Sequence, residues 1–75
     1  MKHKIIDTQD NIIKAIDNHI VGFKAYRNRE LLKDHYVSGM IFEEIAEKYE
    51  MSVSQIKKIA YDNEPTIIKH LRAEG

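Results

Sequence analysis

Seventy-five residues, 43% of them hydrophobic and none of them cysteine, suffice for one domain near the size at which a single core is only marginally adequate, and they exclude a disulfide framework or a thiolate metal site. Lys and Arg number 12 and Asp and Glu 12, so the chain as a whole lacks the basic excess of many DNA-binding domains and can attract a polyanion only through local patches. The opening MKHKIIDTQD has no apolar run like that of a signal peptide or membrane span, so a cytoplasmic protein with no membrane association is expected.

Every segment reads as helix, which predicts an all-α fold, a small bundle of four to five helices in a single domain over 1–75. Asp7 or Thr8 is placed to cap a first helix, with Ile5 and Ile6 stapling its start. Ile12, Ile13, Ile16 and Ile20 fall on one side of that helix, and Asp10, Lys14, Asp17 and Asn18 fall elsewhere. Gly22 weakens a helix by about 1 kcal/mol relative to Ala, so a break is expected after Val21. A second helix should run from Phe23 or Lys24 to Tyr36 or Val37, with Leu31, Leu32, His35 and Tyr36 as core positions and Gly39 ending it. These two helices make up residues 8–37.

Residues 42–62 carry the most informative pattern. Phe42, Ile45, Ala46 and Tyr49 recur at i, i+3, i+4 and i+7, while Glu43, Glu44, Glu47 and Lys48 take the other face. Glu50 and Met51 interrupt this stripe for only a tight turn. Ser52, followed three residues later by Gln55, is a capping box that starts a new helix near Val53, with Ile56, Ile59 and Ala60 as its apolar face. Ala46 is small where two steeply crossing helices must approach, and Met51 can plug the angle between them. The segment thus reads as a helix-turn-helix. Pro65 suits the first turn of a last helix over 65–73, capped by Asp62-Asn63-Glu64 and carrying Ile67, Ile68 and Leu71.

From Tyr36 onward, YVSGMIFEEIAEKYEMSVSQIKKI resembles region 4 of bacterial sigma factors and small phage transcription regulators. The resemblance covers about half the chain: Gly39 falls at the family's glycine, Glu44-Ile45-Ala46 at its E-I/V-A/G core and Ser52 at its cap. Ile41 stands where the family often has Ser or Thr, and Glu50 where it often has Gly. A left-handed backbone at Glu50 costs roughly 1–2 kcal/mol relative to Gly. The resemblance implies base-edge contacts from Val53, Ser54, Lys57 and Lys58, with Ser52 near a phosphate. Val53 and Ser54 are short for the task, suited to a thymine methyl or a single base edge rather than a bidentate clamp.

Helix geometry leads to the same face without the resemblance. With Ile56, Ile59 and Ala60 inward, Val53, Ser54, Lys57, Lys58 and Tyr61 point out and Gln55 lies at the edge. Residues 51–61 carry a local charge of +2, against −4 over 34–50 and +3 over 1–33. Lys24, Arg27 and Arg29, around Tyr26, form a second basic group suited to phosphates or, equally, to a solvated helix face.

Sharper chemistry finds little support. His3, His19, His35 and His70 are dispersed without metal-ligand spacing, and adjacent Glu43 and Glu44 point in different directions on a helix. With no nucleophile motif or phosphate loop, neither an enzyme nor a bound metal or cofactor is expected. Two functions remain. The first is a sequence-specific duplex-DNA-binding transcription regulator of a phage or mobile element, with a homodimer as one way to add buried area. The alternative is a module that docks on RNA polymerase or another host protein through the acidic 43–50 face or the Ile-rich first helix.

Overall fold

The computed structural model describes residues 8–74, with side chains through Leu71. Asp7, Ile5 and Ile6 lie outside the described residues. The four helices of the described chain are α1 (Gln9–His19), α2 (Ala25–Tyr36), α3 (Phe42–Tyr49) and α4 (Val53–Glu74), and the fold is all-α as the periodicity predicts.

Local chemistry sets most helix ends. Thr8 caps α1, its hydroxyl oxygen accepting from the Asn11 N–H at 3.2 Å. α1 stops at Ile20, and Gly22 follows with φ +103°, a left-handed backbone that glycine adopts without steric cost. Lys24, the residue before α2, also lies in the left-handed region at φ 61°. Gly39, at φ +79°, lets the chain reverse after α2, and the Met40 N–H donates to the Asp34 carbonyl at 2.9 Å.

Two apolar clusters hold these helices together. The first gathers Ile12, Ala15, Ile16 and Ile20 with Leu32 of α2 and Ala60, Ile67 and Leu71 of α4. The second joins Leu31 of α2 to Ile45 and Ala46 of α3 and Ile56 of α4, with Met51, Val53 and Ile59 packed against it. Adjacent Leu31 and Leu32 thus serve different clusters, and α4 belongs to both. At the far end of α1, the His19 ring stacks on His70 of α4 with centroids 3.3 Å apart.

The last helix differs from expectation. No new helix begins at Pro65, because α4 runs unbroken for 22 residues with that proline inside it. Instead of capping a new start, Asn63 turns its amide back and donates to the Ile59 carbonyl at 2.8 Å. Continuity keeps Ile56, Ala60, Ile67 and Leu71 on one buried face. Burying that face offsets the roughly 3 kcal/mol that an interior proline costs a helix. Pro65 itself is exposed.

Candidate nucleic-acid interface

The junction between α3 and α4 is three residues long, and its backbone groups are satisfied locally. Glu50 takes the left-handed conformation expected of it, φ 56° and ψ 48°. Its N–H donates to the Glu47 carbonyl at 3.3 Å and the Met51 N–H to the Ala46 carbonyl at 2.9 Å, a Schellman closure made without glycine. The capping box then opens α4: the Gln55 N–H donates to Ser52 Oγ at 3.1 Å, and the Ser52 N–H to Gln55 Oε1 at 3.0 Å. Ala46 is buried in the second cluster and Met51 packs against that cluster, as their sizes suggest.

α3 begins with half of such a box. Ile41 has no oxygen to offer, so only the return bond forms, from the Ile41 N–H to Glu44 Oε1 at 3.1 Å. α3 is tied to α2 by a group that the periodicity does not single out. Asp34 Oδ2 accepts from Tyr49 Oη at 2.7 Å and from Lys48 Nζ at 2.9 Å. Burial, followed by this bond to the Asp34 carboxylate, pushes the Tyr49 phenol well above the usual tyrosine range. Tyr36 is raised in the same direction, chiefly by burial and then by Glu64.

Ile56 and Ala60 point inward, and Ser52, Ser54, Gln55, Lys57, Lys58 and Tyr61 are exposed. Val53 departs from its expected outward position, since it is half-buried against the second cluster, which holds Ile45 and Ile56. Gln55 is held by its capping bonds, so its amide oxygen is not free to read a base. Lys58 pairs with Asp62 at 3.2 Å, both largely in solvent, which makes a weak bond that a phosphate can displace. Lys57 makes no ion pair among the described residues. The Tyr61 ring meets Phe42 edge-on at 5.9 Å, which fixes its direction beside the lysines.

The second basic group is divided by the structure. Arg29 is half-buried and its Nε donates to the Ile20 carbonyl at 2.8 Å, capping the end of α1 rather than facing outward. Arg27 leans on Asn28, donating to Oδ1 at 3.1 and 3.3 Å, and Lys24 is exposed with Nζ 5.4 Å from the Phe23 ring centroid. Spacing alone does not separate these three cations, because Arg29 depends on where α1 ends.

Comparison with family models, curated proteins and solved structures found no match. Among the described residues, no three His, Cys, Asp or Glu side chains come together as a metal-binding group. No described helix is long and apolar enough to cross a membrane.

Proposed function

We propose that the chain binds duplex DNA in a sequence-dependent way and regulates transcription, placing the first turns of α4 in the major groove. The observation that carries this reading is the exposed, locally basic start of α4, presented by a three-residue turn and backed by Ile56 and Ala60 in the core. Lys57 and Lys58 supply the charge and Ser54 the groove-facing edge, while the Ser52 hydroxyl, like the Gln55 amide, is held in the capping box. The similarity of this segment to sigma region 4 points the same way. Replacing Lys57 and Lys58 with Ala should weaken binding in a mobility-shift titration and reduce the salt slope by about 0.9 for each phosphate that is no longer neutralised. Unchanged affinity and slope would remove α4 as the reading element. Selection from a random duplex pool would give the site, and an enriched palindrome would indicate a homodimer.

A second reading is supported by the outer face of α3, where Glu43, Glu44 and Glu47 are set beside Ile41, itself 55% exposed. A basic surface of RNA polymerase or another host protein would complement it. The Ile-rich side of α1 is not available for such docking, because Ile12, Ile16 and Ile20 are buried in the chain's own core and Ile13 is half-buried. Retention of a host protein from nuclease-treated lysate, abolished by charge reversal of Glu43 and Glu47, would favour this reading.

A further inference from the structure

The segment from Ile20 to Arg29, IVGFKAYRNR, carries three cations and no acid, and it leaves large apolar side chains uncovered. Phe23 is 89% exposed, Tyr26 77% and Val21 71%. The loop is shaped by two departures from ordinary backbone, Gly22 at φ +103° and Lys24 at φ 61°. The Ala25 N–H closes it by donating to the Gly22 carbonyl at 3.1 Å, and Arg29 holds the end of α1 where the loop begins. Phe23 therefore stands on a shaped turn, and Tyr26 on the first turn of α2 that follows it.

We infer that Phe23 and Tyr26 form a second DNA contact, stacking on bases at a step flanking the α4 site while Lys24 and Arg27 neutralise the adjacent phosphates. This inference rests on the duplex-DNA reading above. Charge complementarity selects the occupant: planar rings alternate with cations, as bases alternate with phosphates, and no carboxylate interrupts the series. Two rings and one valine match one or two base steps but fall short of the broad apolar face with which a helix enters a bilayer surface. Position agrees as well. Leu31, five residues after Tyr26 on α2, is buried in the cluster that holds Ile56 and packs Val53 of α4. Five helical residues rise roughly 8 Å, so the start of α2 lies within about that distance, along its axis, of the layer that carries the start of α4.

The test uses the full chain and a duplex selected by it from a random pool. Phe23→Ala and Tyr26→Ala should each weaken binding by about tenfold, as expected when a base-stacking ring is removed, and leave the salt slope unchanged. Lys24→Ala should instead lower the slope by about 0.9. The chain has no tryptophan, so Phe23→Trp adds a single indole whose fluorescence should be quenched, and shielded from acrylamide, when the duplex binds. If Lys57→Ala weakens binding while the Phe23 and Tyr26 variants bind like the parent, the stacking contact is overturned and the α4 reading stands. An indole that stays open to acrylamide in the complex overturns it too, as does one that responds only to anionic vesicles or to rising protein concentration. A parent chain that selects no duplex overturns both.

Discussion

The loop from α1 to α2 and the turn from α3 to α4 use the same backbone device and finish it differently. Each places a residue other than glycine in the left-handed region, Lys24 at φ 61° and Glu50 at φ 56°, and a helix begins one residue after the first and three residues after the second. At the second, every step is completed within a few residues by the Schellman bonds and the Ser52–Gln55 box. At the first, Lys24 gives no side-chain cap, the carbonyl of Ile20 is met by Arg29 from nine residues away, and Val21 and Phe23 remain in water. A turn that closes on itself can present the helix after it at a defined angle. One completed from a distance leaves its own side chains for another partner.

The largest effect that would sharpen this contrast lies just beyond the second turn. Ile56→Ala should cost about 2–5 kcal/mol in chemical denaturation, because Ile56 is fully buried in the cluster that joins α3 to α4. Phe23→Ala should leave the unfolding free energy within about 0.5 kcal/mol of the parent's. Equal losses would mean that the first loop packs as tightly as the second.

Alkaline titration is the next test. A tyrosine whose folded pKa is raised contributes stability below its unfolded value, near 10, and that contribution falls away as pH rises above it. Thermal stability should therefore fall above about pH 10, with a slope approaching about 1.4 kcal/mol per pH unit for each of Tyr36 and Tyr49. Tyr49→Phe should remove about half of that slope while weakening the tie to Asp34.

The two capping schemes can be separated by single truncations. Arg29→Ala should destabilise by about 1–2 kcal/mol, since it removes a charge-assisted bond to the carbonyl that ends α1. Ser52→Ala should cost about 1 kcal/mol, the usual value of an N-cap. Smallest and opposite in sign, Glu50→Gly should stabilise by about 0.5–1 kcal/mol, as relief of left-handed strain is partly offset by glycine's greater unfolded-state entropy. A fall in stability from Glu50→Gly would show that the Glu50 side chain contributes more than its backbone strain costs.

Most of the second turn was legible in the sequence, because its chemistry is local. A serine three residues before a glutamine, a residue in the glycine position of a turn and a small alanine at a helix crossing each act within one helical turn of themselves. The outward positions of Lys57, Lys58 and Tyr61 followed from the spacing of Ile56 and Ala60 for the same reason. Val53 did not, because its burial depends on Ile45 and the rest of the second cluster from another helix. Nor did Arg29, whose partner is the end of α1, or Asp34, whose partners lie 14 and 15 residues away.

By itself, the sequence determined that this protein is all-α, that helices end near Gly22, Gly39 and Glu50, and that a capped helix starts after Ser52. Apolar period and capping chemistry act over three to four residues, and they suffice for that. Only the tertiary structure decided that α4 continues through Pro65, because one unbroken helix can bury Ile56 and Ala60 together with Ile67 and Leu71. It also decided which cations remain at the surface, since Arg29 is drawn to a carbonyl that is presented to it only once α1 and α2 have met.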